Sequence, residues 1–455
     1  MLSFDGDDRS YLAELAELVA IPSVSRDSDP DTMGRAARWL ADRLRFAGAR
    51  LAATEGNPVV LGELAGPAGA PTILVYGHYD VQPTGDLAEW SSPPFQLTRE
   101  GEVVRGRGAS DDKGPVLIAL KVAQAFHQQE GGAPLNVKFL LEGEEEIGSP
   151  HLESFVRAHA EELGAELVVS ADGAMWRPSE PSVSTGSKGL LGLDLEVSGA
   201  STDLHSGRYG GVVENPLHAL SRLLSSLHTR QGAVAVPHFY DGVPPLSPAR
   251  RAELAAVAFD EEEYRRQLGA PALHGEPGHS TLERLWERPT LEVNGVHGGG
   301  AYTVIPHRAR AHITCRLVPG QDPEAVLQAI RHHLEGQPEA GVRVEVRPEP
   351  APVPAYTIAP DHPAIRCAVR ALEQVYPEQP VLLAKIAGTL PATVLFEQVL
   401  GAKTLFFSFS TADEHLHAPD EFLRVRRLRE GMRAWEILWR ELAQELPHPG
   451  AGAPS

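Results

Sequence analysis

The chain has 455 residues, of which 42% are hydrophobic and 22% charged, and its formal net charge is −20 at pH 7. This composition is ordinary for a globular protein, and the length predicts two or three domains. The acidic balance argues against nucleic-acid and anionic-membrane partners, because phosphate binding needs a basic surface. Two cysteines without a paired motif, no apolar run of membrane-spanning length and an acidic N-terminus lead us to expect a cytoplasmic protein.

The first third of the chain alternates between helical and strand patterns. Helices are predicted over 35–48, 115–126 and 150–164, and strands over 72–76, 137–141 and 167–170. Ser149 is expected to cap the third helix and Gly164 to end it. Because the strands are apolar throughout and are separated by helices, they indicate an α/β layer around a mostly parallel, buried sheet.

The middle of the chain has a different pattern. Apolar and polar residues alternate over 191–197, 309–317 and 342–346, which indicates antiparallel strands with one face in water. Two helices are predicted to start at Asn215-Pro216 and Asp322-Pro323. The proline-rich and charged stretch from Gln231 to Pro289 is interpreted as a long insertion or irregular segment.

After about Ala355 the α/β pattern returns, with a helix predicted over 364–376 and a strand over 404–409. The fold class predicted is therefore α/β. A discontinuous domain with a mostly parallel sheet (1–183 and 354–455) is interrupted by an inserted α+β domain with an antiparallel sheet (184–353).

Imidazoles and carboxylates follow the predicted strands at the points where the strands end. They are His78 and Asp80, then Glu142, Glu144, Glu145 and Glu146, then Asp172, then Asp413, His415 and His417, with Asp111 and Asp112 in a loop between them. Ligands of α/β sheets bind at the carboxyl ends of parallel strands. Any one of these residues alone is better explained as a cap, a turn or a solvated loop. Their joint occurrence favours two divalent cations that share a bridging carboxylate, and such cations would also explain the cluster of glutamates.

At these residues the sequence resembles the M20 metallopeptidase family, and most closely its cytosolic dipeptidase (carnosinase-like) branch. The matching motifs are YGHYDVQP, GRGASDDKGP, LLEGEEEIGS, SADG, DLHSGRYGG, YTVIP, CRLVPGQDP and HAPDE. They occur in the family's order and extend over nearly the whole chain, including the inserted domain.

The resemblance implies a role for each residue of the metal site. It assigns His78 and Asp172 to one metal, Glu146 and His417 to the other, Asp111 to the bridge, Asp80 to the orientation of His78, and Glu145 to the general base. The bridge is Asp111 rather than Asp112 because the family's bridging residue lies two positions before the motif lysine, here Lys113. The resemblance also implies a cis peptide bond after Asp111.

The resemblance further implies a substrate site and a homodimer. Arg316 would hold the terminal carboxylate of the substrate, while His205 on the inserted lid domain would reach the active site of the other subunit. Thr303, Gly388 and Thr389 belong to two further substrate-binding loops. These loops depart from the family's usual pattern, since Tyr302 stands where lysine is common and Lys385 and Thr389 stand where arginine and serine are common.

The function that the resemblance implies is hydrolysis of the peptide bond of dipeptides or short peptides, by a water activated by two metals with Glu145 as base. Zinc is expected first, with manganese or cobalt as alternatives. A second reading within the family is an N-acyl-amino-acid deacylase with the same metal centre. A third reading, from another class, is a non-catalytic binding protein on the same fold. The presence of Glu145 and Asp111 argues against the third.

Overall fold

The structure is a computed structural model that describes residues 1–4, 8–27, 29–337 and 340–447. The described residues form two compact units. The first comprises Met1–Thr185, Ile358–Lys385 and the described residues from 391 onward, and the second comprises Gly186–Thr357 with Ile386–Leu390. The short piece Ile386–Leu390 carries two of the predicted substrate residues and groups with the second unit. The role of that unit as a lid and dimerisation domain stays a prediction.

Fourteen α-helices are found in the described residues. They are α1 (Arg9–Val19), α2 (Pro30–Arg43), α3 (Lys113–Glu130), α4 (Leu152–Ala158), α5 (Ala160–Leu163), α6 (Ser206–Tyr209), α7 (Pro216–Ser226), α8 (Pro248–Ala256), α9 (Glu261–Gln267), α10 (Thr281–Glu287), α11 (Pro323–Glu335), α12 (Pro363–Val375), α13 (Pro391–Leu400) and α14 (Val425–Glu445). None of them is both long enough and apolar enough to cross a lipid bilayer.

The strands of the described residues number eighteen. They are β1 (Arg50–Ala52), β2 (Val59–Leu64), β3 (Thr72–His78), β4 (Thr98–Glu100), β5 (Val103–Arg105), β6 (Asn136–Glu142), β7 (Leu167–Ser170), β8 (Ser182–Ser187), β9 (Gly189–Ser198), β10 (Leu204–His205), β11 (Thr290–Gly298), β12 (Val304–Ile305), β13 (Arg308–Leu317), β14 (Arg343–Pro348), β15 (Tyr356–Thr357), β16 (Leu382–Ile386), β17 (Lys403–Phe406) and β18 (Phe422–Arg424).

The largest sheet has nine strands in the order β1-β2-β6-β3-β7-β17-β8-β15, with β16 paired to β8. Its four central strands β6, β3, β7 and β17 are parallel. The strands on either side of them pair antiparallel. The central strands are apolar and fully buried along most of their length, as expected for parallel strands covered on both faces. The predicted α/β class is confirmed, and the predicted parallel pairing is found in the centre of a mixed sheet.

The second unit is built on a four-stranded antiparallel sheet in the order β11-β13-β9-β14. The predicted alternation is found in β9 and β13, whose buried residues pack against helices α7 and α11 in one apolar core. Both helices start as predicted. The side chain of Asn215 accepts a hydrogen bond from the N–H of Leu217, and that of Asp322 accepts one from the N–H of Glu324.

The predicted cap at Ser149 is wrong. Helix α4 begins at Leu152, and Ser149 itself has a φ of 50°. Its hydroxyl donates to a carboxylate oxygen of Glu142 at 2.9 Å instead of accepting from a helix N–H. The Ser149 hydroxyl is thus used for a hydrogen bond to Glu142 and not to cap the helix.

The segment from Gln231 to Pro289 contains more regular structure than its composition predicted. Helices α8, α9 and α10 lie within it, and each begins at a side chain that accepts hydrogen bonds from the first turn, namely Ser247, Asp260 and Ser280. Charged residues such as Arg251, Glu253 and Glu261 are exposed on α8 and α9, whereas in α10 Glu283 is buried and Arg284 is partly buried.

Candidate active site

The parallel register brings several strand ends to one edge of the large sheet. In the register of β3 with β6, His78 lies opposite Glu142. Tyr76 lies opposite Ser170 on β7, and Phe406 of β17 is paired with the same Ser170. The loops that follow these strands therefore start side by side, which is what the sequence predicted for the carboxyl ends.

A glycine allows the start of helix α3 to approach β3 at this edge. A Cβ atom on Gly77 would lie 2.5 Å from the Val116 side chain and 2.7 Å from a carboxylate oxygen of Asp112. That oxygen accepts a hydrogen bond from the N–H of His78 at 3.2 Å. Only a residue without a side chain leaves room for this contact, which ties the Asp111 loop to the end of β3.

Asp111 lies between two histidines that come from distant parts of the chain. Its Oδ1 is 3.1 Å from Nε2 of His78, and its Oδ2 is 2.9 Å from Nε2 of His417. The peptide bond between Asp111 and Asp112 is cis, as the resemblance implied. One carboxylate thus presents one oxygen to each imidazole, which is the arrangement that a bridging ligand requires.

Two groups of potential metal ligands lie at this place. One consists of His78, Glu145 and Asp172, and the other of Asp111, Glu146 and His417. Within each group the ligand atoms lie within 4.8 Å of one another. The structure therefore brings together all five predicted metal ligands and the predicted base.

Asp80 is completely buried and orients several members of these groups at once. Its two carboxylate oxygens accept hydrogen bonds from the backbone N–H groups of Glu145, at 3.2 Å, and Glu146, at 3.0 Å. Nδ1 of His78 lies 3.0 Å from the backbone oxygen of Asp80 and 3.4 Å from its Oδ1. Such contacts fix both the ring and the loop that carries the two glutamates.

Other members of the strand-end inventory have structural partners instead. Glu142 accepts a hydrogen bond from the Tyr76 hydroxyl at 2.7 Å, and Glu144 lies 2.8 Å from Nδ1 of His151. Asp413 forms an ion pair with Arg424, and His415 packs edge-on against Phe422. The cluster of glutamates thus divides into two structural residues and two that face the histidines.

Glu421 also positions the site, although it was not predicted from the sequence. Its carboxylate is fully buried and accepts from the Arg107 guanidinium at 2.8 Å. It also accepts from the backbone N–H groups of Gly108, Ser110 and Asp111, at 2.9 to 3.0 Å. Glu421 is the last residue of the HAPDE motif, but its partners lie more than 300 residues away, so its role could not be predicted from the local sequence.

The charges of the two ligand groups favour the binding of a cation. Burial raises the pKa of Asp172 to about 7 and raises the pKa of Glu145 as well. Hydrogen bonds to Asp111 and Glu146 raise the pKa of His417 to about 10. Carboxylates packed this densely are costly to ionise together unless a cation lies among them. The set of imidazoles and carboxylates is one that zinc, manganese or cobalt accepts.

Three predicted substrate residues lie together in the second unit. Nη1 of Arg316 donates to the hydroxyl of Thr389 at 2.8 Å, and the backbone oxygen of Gly388 accepts from the N–H of Lys188 at 3.0 Å. Arg316 is half-buried, and its burial lowers its pKa. The guanidinium keeps further N–H donors beyond the one given to Thr389, so it has the capacity to bind a carboxylate.

The two other predicted substrate residues are exposed in the same unit. His205 lies on β10, which pairs with β12, and its Nδ1 accepts from the N–H of Gly207 at 3.1 Å. The backbone oxygen of Thr303 accepts from both the N–H and the hydroxyl of Ser206. His205 and Thr303 are thereby held at the two sides of one short paired segment.

Residues 74–441 match the sequence profile of peptidase family M20/M25/M40. The chain belongs to this family. The match extends from the middle strand of the large sheet to the last helix and includes the whole inserted unit. The family and the fold predicted from the motifs are confirmed, and the chain is a metallopeptidase of the M20 type.

Individual relatives are similar over nearly the whole chain. The Beta-Ala-His dipeptidase of Homo sapiens is 29% identical, with 95% of this chain and 90% of the relative covered. The Cys-Gly metallodipeptidase of Schizosaccharomyces pombe is 29% identical, with 96% of each chain covered. Among solved structures, an M20 family metallo-carboxypeptidase from Sulfolobus solfataricus is 29% identical and superposes with a TM-score of 0.85, covering 96% of this chain and all of the other (100%).

Proposed function

We propose that this metallopeptidase is a dipeptidase that holds two metal ions per chain, and that Asp111 would be a ligand of both. The observation that carries the proposal is the pair of contacts from Asp111, one oxygen at 3.1 Å from His78 and the other at 2.9 Å from His417. On each side a second carboxylate completes a ligand group, Asp172 beside His78 and Glu146 beside His417. Zinc is the first choice of metal, with manganese or cobalt as alternatives.

The chemistry divides between the metals and the protein. When bound, two divalent ions polarise a carbonyl and lower the pKa of water toward neutrality. Glu145 is the residue placed to accept the proton of the attacking water on its carboxylate and to return it to the departing amine. Burial raises the pKa of Glu145, which favours its binding a proton, and a general base has to gain and then lose a proton. Asp80 holds the backbone of Glu145 in place.

Substrate recognition is proposed for the second unit. Arg316, beside Thr389 and Gly388, would bind the terminal carboxylate of the peptide, because a guanidinium matches a carboxylate with two parallel hydrogen bonds. The relatives that cover nearly the whole chain are named for dipeptides, which supports a short substrate here.

A homodimer is part of the proposal. His205 on β10 and Thr303, which directly precedes β12, are both exposed, so both are accessible to another subunit. Cys315 and Cys367 are free and buried, which supports a working place in the cytoplasm.

The test is release of amino acids from a panel of dipeptides by chelated protein reconstituted with zinc or manganese. The same plate carries N-acetyl and N-succinyl amino acids. The proposal predicts metal-dependent cleavage of dipeptides and little or none of the acyl compounds. Cleavage of the acyl compounds alone would make the protein a deacylase. If no substrate is cleaved although two metals are bound, the remaining interpretation is a non-catalytic binding protein.

A further inference from the structure

Helices α9 and α10 contribute to the wall of a cavity that extends from Arg316 and has no role in the proposed function beyond that arginine. Its volume is about 390 Å³, which is in the range of sites for small molecules. Much of its lining is apolar or aromatic and includes Val234, Tyr264, Leu268, Leu273, Leu285 and Leu291. Tyr264 belongs to α9, Leu268 follows that helix directly, and Leu285 belongs to α10. The cavity lies within the second unit.

The wall of the cavity also carries positive charge. Four cationic residues contribute to it, Lys188, Arg284, Arg288 and Arg316, against two carboxylates, Glu276 and Glu292. Arg288 forms a two-fold ion pair with Glu276, at 2.7 and 2.8 Å, whereas Arg284 donates to the neutral hydroxyl of Thr281. Arg316 likewise donates to a neutral hydroxyl, that of Thr389. The cavity therefore accepts an apolar group readily and disfavours a cationic one.

We propose that this cavity binds the side chain of the C-terminal residue of the peptide substrate and selects apolar or aromatic side chains there. The inference rests on the proposed function, in which Arg316 binds the terminal carboxylate. The Cα that carries this carboxylate also carries the side chain. Arg316 is itself a residue of the cavity wall. When it binds the terminal carboxylate, the side chain on the same Cα therefore lies at the cavity, next to the apolar lining.

This proposal gives the segment from Gln231 to Pro289 a function in substrate selection. Helices α9 and α10 form the apolar side of a pocket whose polar side is Arg316, and residues on these helices determine which dipeptides are cleaved well. Gly-Phe and Gly-Leu are the expected good substrates. Gly-Gly leaves the apolar lining in contact with water, and Gly-Lys brings an ammonium group beside the arginines.

Leu268→Trp is the variant that tests the pocket most directly. The side chain of Leu268 is 56% exposed, so a larger residue is tolerated by the fold while its ring narrows the cavity. We expect kcat/KM for Gly-Phe and Gly-Leu to fall by about tenfold or more, and kcat/KM for Gly-Gly to change by less than about twofold. Leu51→Trp, at a 38% exposed leucine on β1, is the matched control and leaves all three unchanged.

A second variant changes the pocket in the opposite sense. Leu285→Ala widens the cavity and raises the ratio of kcat/KM for Gly-Trp over Gly-Leu. Calorimetric titration of the chelated wild type and Leu268→Trp proteins with Gly-Phe gives a readout that does not depend on turnover, and weaker binding to the variant is expected.

The experiments distinguish a wrong pocket assignment from a wrong proposed function. If the wild type cleaves no dipeptide, the proposed function falls and the pocket assignment falls with it. If the wild type cleaves dipeptides but Leu268→Trp lowers Gly-Gly and Gly-Phe equally, or lowers neither, the cavity is not the side-chain pocket. The inference is also overturned if Gly-Lys is cleaved as well as Gly-Leu.

Discussion

At the scale of single residues, two neighbouring glutamates have different roles in the proposed mechanism. Both Glu145 and Glu146 have their N–H groups fixed by Asp80, but only Glu146 contacts His417, at 3.2 Å. Glu145 lies in the group of His78 and Asp172. We assign proton transfer to Glu145 and metal binding to Glu146.

Glu145→Gln is expected to lower kcat by about 10² to 10⁴ fold while the protein still binds two metals, because an amide has no basic oxygen to accept the proton. Glu146→Gln is the matched comparison and is expected to lose metal. Steady-state kinetics and metal analysis of both purified variants give the answer. Loss of one metal from Glu145→Gln would make Glu145 a ligand instead of the base.

Glu421→Gln tests the positioning of the bridge. The substitution leaves one oxygen and adds N–H donors that face the N–H groups of the Asp111 loop. We expect the free energy of unfolding to fall by about 3 kcal/mol, because Arg107 is left as a buried and unpaired charge. Affinity for zinc is expected to fall as well. Chemical denaturation and metal titration measure the two effects.

The matched control for this variant is Glu153→Gln. Glu153 pairs with Arg157 on an exposed helix face, where we expect a change within about 0.5 kcal/mol. An unchanged zinc affinity in Glu421→Gln would mean that the loop holds Asp111 without this carboxylate.

The residues of the site differ in how far the sequence revealed them. His78, Glu146, Asp172 and His417 follow strands or lie in a motif, so their meeting could be predicted from the parallel sheet and the family resemblance. Glu421 could not be assigned, because its role arises from backbone donors of a loop distant in sequence, and local patterns carry no information about such partners.

At the scale of elements, the helices of the inserted segment depend on their caps. The hydroxyl of Ser280 accepts from the N–H of Glu283, and the carboxylate of Glu283 accepts from the N–H of Ser280 at 2.9 Å. This reciprocal pair starts α10, which carries part of the wall of the cavity beside Arg316.

Ser280→Ala is expected to lower the free energy of unfolding by about 1 kcal/mol, since one N–H of the first turn loses its partner. Ser280→Thr keeps the oxygen and is expected to stay within about 0.5 kcal/mol of the wild type. Denaturant unfolding of the three proteins gives the comparison. Equal stability of all three would show that the cap is replaced by water.

Long elements were easier to predict than short ones. Strands β9 and β13 extend over ten residues each, long enough for alternation to be visible, and α7 and α11 begin at Asn-Pro and Asp-Pro pairs. Helices α9 and α10 have seven residues each, so they complete too few turns for a hydrophobic period to stand out from the surrounding prolines and charges.

At the scale of the whole molecule, the prediction of a discontinuous first domain followed from the return of the α/β pattern after the inserted segment. The grouping of Ile386–Leu390 with the second unit was not foreseen, because it results from hydrogen bonds such as that between Arg316 and Thr389. Contacts between side chains far apart in sequence leave no periodic pattern.

The proposed dimer predicts complementation between two inactive variants. If His205 acts in the site of the partner subunit, His205→Ala and Glu145→Gln are each nearly inactive alone. Mixed dimers then contain one complete site, and unfolding and refolding an equal mixture is expected to restore about a quarter of wild-type activity. Light scattering of the same sample checks the oligomeric state. No recovery in a sample that is dimeric would place His205 and Glu145 in one chain's own site. An active His205→Ala protein would remove His205 from the mechanism.

In the proposed mechanism Asp111 would join two metal sites into one catalytic centre. This role is tested by titrating chelated protein with zinc and following the hydrolysis of a dipeptide that the wild type cleaves. We expect activity to reach its plateau at two equivalents of zinc per chain, and Asp111→Ala to bind fewer zinc ions and to stay inactive. Full activity at one equivalent, activity that survives chelation, or an active Asp111→Ala protein would contradict this role.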